Sequence, residues 1–283
     1  NLLTQITPQT LFQALTYTDY RPPALYLTAQ PFYAWFGHTI DSAQLTNVAL
    51  MVAILLLTYA LAVQIVSPVI ALLATAMTAF FPILMGMSRL YYTENFLTAV
   101  LLLNLLALVK GAGFRRRGWA LLWGITLGLA LLVKWTAPIY IVLPTLWVLR
   151  DALRLGWQQR SQWRKGVALV WPKLFLAVVL ATVLALLVYW PNQATIREFL
   201  LGDWIVVGWV ALLTLFFYSY SQPATVINNA LTALWLGVAL ASFWYLPRID
   251  FLTHLNDVAF GTDRGTQAAF DPWRLTNYTR YFF

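Results

Sequence analysis

The stretch Ser88-Arg89-Leu90-Tyr91-Tyr92-Thr93-Glu94-Asn95 is a short polar segment between two long apolar runs. Arg89 and Glu94 are the only charged residues between Gln44 and Val109. Charged side chains at or inside a bilayer are costly, and they usually face protein or water. We therefore interpret the stretch as a turn between two membrane spans and as the first candidate for chemistry, with a plain solvated turn as the alternative.

The composition of the chain is that of a polytopic membrane protein. It is 61% hydrophobic and 10% charged, with a mean hydropathy of +0.70, whereas soluble domains carry about 25% charged residues. The predicted fold is an all-α bundle of transmembrane helices. The net charge of +8 is attributed to loop orientation rather than to nucleic-acid binding. Disulfides and thiolate metal sites are excluded because the sequence has no cysteine.

Eight apolar stretches are predicted to span the membrane, with lengths near the ~20 residues that a crossing requires. The two that flank Lys134 are short, so the tip of this hairpin is not expected to clear the far interface. The eight stretches are Thr46–Val66, Pro68–Met87, Glu94–Val109, Trp119–Val133, Pro138–Leu149, Leu174–Trp190, Trp204–Tyr218 and Asn229–Leu246.

Three regions follow from these spans. Residues 46–247 form the transmembrane domain, and residues 1–45 form an extracytoplasmic loop with interfacial helices. Within that loop Pro22–Gly37 is apolar and aromatic but too short to cross, which favours a helix at headgroup depth. Residues 248–283 form an extracytoplasmic loop or the start of an outer domain. We also expect the chain to be part of a longer polypeptide with at least one span before Asn1.

The charges predict the orientation of the bundle. The segments Lys110–Arg117 and Arg150–Lys173 hold ten of the eighteen Lys and Arg residues but only one of the ten acids, Asp151. The positive-inside rule places both segments in the cytoplasm. The consecutive arginines Arg115–Arg117 are interpreted as an orientation signal that at most contacts anionic lipid. The protein is expected in the plasma (inner) membrane.

This orientation brings five charged residues to the extracytoplasmic side: Asp19, Arg21, Arg89, Glu94 and Lys134. Lys134 follows an apolar run, where a charge needs an anionic partner or water, although a snorkelling lysine is the alternative. Arginine binds phosphate bidentately and lysine binds it as a point charge. The set therefore favours a ligand with a phosphate at headgroup depth, such as a polyprenyl-phosphate-linked sugar.

Three segments resemble membrane glycosyltransferases of the GT-C class, which includes the protein O-mannosyltransferases and the lipid A aminoarabinose transferases. Arg21–Tyr26 is similar to their basic-Pro-Pro-Leu segment, which leads to a helix that ends in Phe-Gly, here Phe36–Gly37. Ser88-Arg89 followed by Glu94 resembles their second outer loop. Gly128–Lys134 resembles their Gly-Leu-Ala-x-Leu-Thr-Lys turn. The three matches occur in the order found in the family.

The resemblance implies transfer of a sugar from a polyprenyl-phosphate donor to a glycan, lipid or protein acceptor on the extracytoplasmic face. It implies that Arg21 and Lys134 hold the donor phosphate and that Arg89 pairs with Glu94 or with the phosphate. Glu94 and Asp19 are the implied catalytic carboxylates. Some relatives use a divalent metal, to which Asp19 or Glu94 would supply a ligand, but the sequence contains no complete metal shell.

One element of the family pattern is not found in residues 1–283. The principal catalytic carboxylate of these enzymes lies in an acidic pair after the first span, and we expect that span and that pair upstream of Asn1. Two other classes therefore stay open, a noncatalytic structural subunit with a GT-C-like scaffold and a transporter. The second is disfavoured because the sequence lacks paired, Gly/Pro-broken short spans in two matching halves.

Overall fold

The computed structural model describes residues 24–37, 39–88, 91–158 and 203–246, with isolated helical positions at 175, 176, 179 and 183. Every regular element in this part of the chain is an α-helix, as expected where lipid leaves the backbone polar groups no water to bond. The helices are α1 (Ala24–Phe36), α2 (Ile40–Ala62), α3 (Pro68–Ala79), α4 (Pro82–Ser88), α5 (Thr93–Lys110), α6 (Arg117–Val133), α7 (Pro138–Gln158), α8 (Asp203–Ser221) and α9 (Val226–Tyr245).

Helices α6 and α9 approach closely because glycines lie at their contact. A Cβ atom on Gly124 would overlap the Ala233 carbonyl, and one on Gly128 would lie 2.8 Å from the carbonyl oxygen of Gly237. Gly124 and Gly128 form a Gly-x-x-x-Gly pair, the pattern that lets two membrane helices bring their backbones together. Dispersion contacts between the backbones then stabilise the pair in lipid, where the hydrophobic effect does not drive helices together.

Two side chain to backbone hydrogen bonds show that α6 and α9 run parallel. Near the start of both helices, the Asn229 amide nitrogen donates to the carbonyl oxygen of Phe114 at 2.8 Å. Near the end of both, the Tyr245 hydroxyl donates to the carbonyl oxygen of Leu131 at 2.9 Å. The loop before α6 and the loop before α9 therefore lie at the same end of the bundle.

Helix α5 packs antiparallel to α6, with a buried amide between them. Asn104 is 1% exposed, and its side-chain nitrogen donates to the Thr126 hydroxyl at 2.8 Å and to the Trp123 carbonyl at 3.0 Å. A buried amide without such partners would cost free energy in lipid. These bonds hold the two helices in one register.

The remaining helices pack around this central group. Helix α2 packs against α5, α8 packs against α9, and α1 packs against α2 and α6. Ala24 and Leu25 at the start of α1 are buried in the same apolar cluster as Phe96 of α5 and Val133 of α6. The start of α1 therefore belongs to the core of the bundle.

The membrane character of the chain is confirmed, whereas the count of eight spans is not. In the described ranges, α2, α5 and α9 are long and apolar enough to cross a membrane. Helices α3 and α6 and the apolar parts of α7 and α8 are shorter. The predicted span Leu174–Trp190 lies outside the described residues apart from four helical positions between 175 and 183.

The region of the predicted span Pro68–Met87 forms two helices rather than one. Helix α3 ends at Ala79, and α4 begins at Pro82. Proline has no backbone N–H and disfavours the helical conformation of the residue before it, here Phe81. The helix therefore stops and restarts.

The apolar part of α7 ends at Arg150, one residue beyond the predicted end of this span at Leu149. Helix α7 continues without a break to Gln158, so the first nine residues of the predicted loop are helical. Charged residues do not end a helix when its last turns leave the apolar layer, because arginine and leucine are both good helix formers. The segment Pro22–Gly37 is helical from Ala24 to Phe36.

Candidate functional site

Glu94 lies in the first turn of α5. The helix begins at Thr93, after Tyr92 in an extended conformation with φ −123° and ψ 157°. A carboxylate in the first turn is stabilised by the positive end of the helix dipole. The Thr93 hydroxyl also donates to the Glu94 Oε2 atom at 3.2 Å. Both interactions stabilise the negative charge of the carboxylate at the start of α5.

Lys134 follows the last residue of α6. Its backbone is extended, with φ −156° and ψ 131°, and its N–H donates to the Ala130 carbonyl oxygen. A tight turn then leads to α7, because the N–H of Ala137 donates to the carbonyl oxygen of Lys134 at 3.1 Å. The side chain therefore emerges where the chain reverses direction between two helices.

The antiparallel packing of α5 and α6 brings these two side chains together. The Lys134 Nζ atom lies 3.0 Å from the Glu94 Oε1 atom, and the side chains are 37% and 42% exposed, respectively. An ammonium group has three hydrogen-bond donors, and Glu94 accepts one of them. Lys134 therefore keeps donors and open space for a second anionic group.

Tyr91 holds the start of α1 against the turn that precedes α5. Its hydroxyl donates to the carbonyl oxygen of Leu25 at 2.6 Å, and the Thr28 hydroxyl donates to the same oxygen at 2.6 Å. Burial raises the pKa of Tyr91 to about 12, so the phenol stays a neutral donor at ordinary pH. Arg21 precedes Leu25 by four residues but lies outside the described residues.

An apolar groove lies between four of the helices. It has a volume of about 320 Å³ and is lined almost entirely by apolar atoms of α1, α5, α6 and α9, including Leu27, Phe96, Leu132 and Trp244. Glu94 and Lys134 do not line the groove, but Phe96 follows Glu94 by two residues and Leu132 precedes Lys134 by two. The groove and the half-exposed ion pair therefore lie at the same end of the α5–α6 pair.

The structure thus brings together two of the five predicted site residues, Glu94 and Lys134. The other three, Asp19, Arg21 and Arg89, lie outside the described residues, and the role of each of the five stays a prediction. Within the described ranges, no group of three or more His, Cys, Asp or Glu side chains is placed to hold a metal.

Sequence reasoning missed Tyr91 and the groove. Tyr91 belongs to the polar stretch Ser88–Asn95, but the partner of its hydroxyl, the Leu25 carbonyl oxygen, is 66 residues away in sequence. No local pattern indicates a hydrogen bond over that separation. The groove has no motif either, because its walls come from four helices that each carry ordinary apolar residues.

The family described as dolichyl-phosphate-mannose-protein mannosyltransferase matches residues 20–190. The matched region includes Arg21, Arg89, Glu94 and Lys134 and begins one residue after Asp19. Neither a curated protein nor a solved structure matches the chain.

Proposed function

Because the chain belongs to the dolichyl-phosphate-mannose-protein mannosyltransferase family of membrane glycosyltransferases, we propose that it transfers a sugar from a polyprenyl-phosphate donor. The acceptor is a glycan, lipid or protein on the extracytoplasmic face. The proposed location is the plasma (inner) membrane, in the orientation that places the basic loops in the cytoplasm.

The observation that best supports the proposed site is the half-exposed Lys134–Glu94 ion pair, with Nζ 3.0 Å from Oε1, at the same end of α5 and α6 as an apolar groove that is lined in part by Phe96 and Leu132. A polyprenyl-phosphate sugar has a phosphate between a long apolar tail and a polar sugar. The groove suits the tail, and the free donors of Lys134 suit the phosphate. The ion pair holds the lysine in place before the donor arrives, which reduces the entropic cost of binding.

The reaction needs few protein groups. The bond between the anomeric carbon and the phosphate oxygen breaks, and the acceptor oxygen forms a bond to that carbon through an oxocarbenium-like transition state. The leaving phosphate gains negative charge, which Lys134 stabilises more strongly in the transition state than in the ground state. The acceptor hydroxyl gives its proton to a carboxylate.

We assign the remaining roles on the same chemistry. Arg21 is the second cation on the donor phosphate, and Arg89 pairs with that phosphate or with Glu94. Glu94 orients Lys134 and lies on the acceptor side, where Asp19 is the further carboxylate of the proposed site. The start of α1, which Tyr91 binds through the carbonyl oxygen of Leu25, supports the placement of Arg21 near the ion pair.

The test is a transfer assay with purified full-length protein and a radiolabelled polyprenyl-phosphate sugar. Lys134→Ala is expected to weaken donor binding and to slow transfer, whereas Lys134→Arg restores part of both. Glu94→Gln is expected to spare donor binding but to slow transfer by about 10²-fold if the carboxylate assists proton removal. Lys110→Ala is the matched control, because Lys110 is exposed at the opposite end of α5.

Two results would contradict the proposal. Unchanged turnover in both Lys134→Ala and Glu94→Gln would remove these residues from the site. Donor binding that is absent from the wild-type protein would instead favour the noncatalytic subunit, since a structural scaffold has no need to hold a lipid-linked sugar.

A further inference from the structure

The three consecutive arginines before α6 have different environments. The Arg117 guanidinium donates to the Asn229 Oδ1 atom at 3.2 Å and to the Gln222 carbonyl oxygen at 2.8 Å. It also lies 4.6 Å from the centre of the Tyr220 ring, close enough for a cation–π interaction. Arg117 therefore connects the start of α6 to the start of α9 and to the loop that precedes it. The interpretation of Arg115–Arg117 as an orientation signal that at most contacts anionic lipid did not include these contacts of Arg117.

The loop that carries the other two arginines has an unusual backbone. Ala112, Gly113 and Phe114 have successive positive φ angles of 47°, 64° and 66°. Residues other than glycine rarely adopt this region, and each such residue costs about 1–3 kcal/mol unless its surroundings impose the conformation. A defined contact must therefore hold the loop in this shape.

Three contacts do so. The Phe114 side chain is 2% exposed and packs edge-to-face on Trp123, with ring centres 5.1 Å apart. The Asn229 amide donates to the Phe114 carbonyl oxygen at 2.8 Å. At Gly113 a Cβ atom would overlap Val148 of α7. The loop is thus held against α6, α7 and α9.

The fixed loop holds exposed, positively charged side chains in defined positions. Arg115 and Arg116 are exposed, and neither side chain forms a hydrogen bond or an ion pair with the part of the chain that the structure describes. Arg150 of α7 is exposed as well, and its guanidinium lies 4.3 Å from the centre of the Trp147 ring. Arg150 is two residues beyond Val148, which contacts the loop. We call Arg115, Arg116 and Arg150 the basic rim.

We propose that the basic rim is a preorganised binding surface for the headgroups of anionic phospholipids. The rim lies where the apolar parts of α5, α6 and α7 end, which is the depth of lipid headgroups. Trp147 is 68% exposed, and tryptophan concentrates at this interface. Guanidinium groups match the oxygen geometry of a phosphodiester.

The shape of the loop favours this function over a general orientation signal. Orientation during insertion depends on the number of basic residues near the end of a span and requires no fixed loop. A strained loop held by a buried phenylalanine presents its arginines at lower entropic cost on binding. The surface is at the opposite end of α5 and α6 from the Glu94–Lys134 pair, so it does not depend on the proposed transfer.

Native mass spectrometry of the delipidated full-length protein measures this binding directly. Phosphatidylglycerol is titrated against the wild-type protein, and phosphatidylcholine with the same acyl chains is the neutral control. The variant Arg115→Gln/Arg116→Gln is expected to bind phosphatidylglycerol about 30-fold more weakly, or ~2 kcal/mol at ~1 kcal/mol for each basic residue near the surface. Phosphatidylcholine binding should not change.

The matched control is Arg248→Gln/Arg264→Gln, which removes the same two charges from the region expected on the other face. It should bind phosphatidylglycerol like the wild-type protein. An equal loss in both double variants would show that net charge alone attracts the lipid, and equal binding of both lipids by the wild type would also overturn the proposal. If the loop variant does not fold, Arg150→Gln gives the same test, with an expected loss of about 5-fold.

A competition experiment distinguishes binding of a lipid headgroup from binding of a free anion. Inorganic phosphate at millimolar concentration should leave phosphatidylglycerol bound, because it offers charge without an acyl chain to bury against the helices. Complete displacement by inorganic phosphate would assign the rim to soluble anions and would contradict the proposed lipid site.

Discussion

The Tyr91 hydroxyl donates a hydrogen bond of 2.6 Å to the carbonyl oxygen of Leu25, 66 residues earlier in the chain. This contact joins the polar turn before α5 to the first turn of α1. It places the start of α1 against the turn that leads to Glu94, three residues after Tyr91.

Tyr91→Phe is expected to lower the free energy of unfolding by about 1 kcal/mol, since one hydrogen bond is lost while the Thr28 hydroxyl still satisfies the Leu25 oxygen. Tyr92→Phe is the control, because Tyr92 is 45% exposed. Thermal unfolding in detergent measures both. With the pKa of Tyr91 raised to about 12, the difference from wild type should persist up to the unfolded-state pKa of about 10 and then fall towards pH 12. Equal effects of both substitutions would contradict this role.

The Glu94–Lys134 pair is expected to matter more for transfer than for stability. Both side chains are more than a third exposed, and solvent screening limits such a pair to a coupling energy of about 0–1 kcal/mol. A double-mutant cycle with Glu94→Gln and Lys134→Met measures this coupling from unfolding, and the same four proteins give transfer rates. A coupling energy well above this range, with unchanged transfer, would make the pair a structural contact.

Substitution of Gly124 by alanine is expected to separate α6 from α9. The new Cβ atom would overlap the Ala233 backbone, and overpacking of this kind costs about 1–3 kcal/mol. Gly118→Ala in the first turn of the same helix is the matched control, because a Cβ atom there meets nothing within 4 Å. Thermal unfolding in detergent should show a lower midpoint for Gly124→Ala alone. An equal loss of stability in both variants would contradict this role of the Gly124 contact, because alanine is by itself the better helix former.

Arg117 and Arg116 are expected to differ in their effect on stability, although they are neighbours with the same charge. Arg117→Gln loses its bonds to the Gln222 carbonyl and the Asn229 side chain, which we expect to cost about 1.5–3 kcal/mol for hydrogen bonds from a charged group. Arg116→Gln should leave the unfolding midpoint within error of wild type, because its side chain is exposed. Equal midpoints in the two variants would show that the contacts of Arg117 contribute little.

The orientation of the bundle is tested by cysteine labelling, since the sequence has no cysteine of its own. Arg115→Cys is suitable because Arg115 is exposed, and Thr266→Cys samples the region expected outside. An impermeant thiol reagent should label Thr266→Cys in intact cells and Arg115→Cys only after lysis. Labelling of Arg115→Cys from outside would reverse the predicted topology.

Much of the local structure could be predicted from the sequence. Lipid offers no water to satisfy backbone N–H and C=O groups, so long apolar stretches have to form helices. The interruption of the helix before Pro82 and the close contact at Gly124-x-x-x-Gly128 also have local causes that can be read in the sequence. The predictions above used neither. The ends of helices such as α7 were harder to predict from the sequence, because residues that favour helix continue past the apolar part of the helix.

The contacts between helices were decided only by the tertiary structure. Each residue turns about 100° around a helix axis, so the direction of a side chain depends on how its helix is rotated against its neighbours. That rotation follows from packing at several distant positions, such as Gly124 on Ala233 and Asn104 on Thr126. The sequence by itself determined that Glu94 and Lys134 are charges beside apolar helices, whereas the packing of α5 against α6 decided that their atoms meet at 3.0 Å. The same reason explains why Arg117 is bound while Arg115 and Arg116 are exposed.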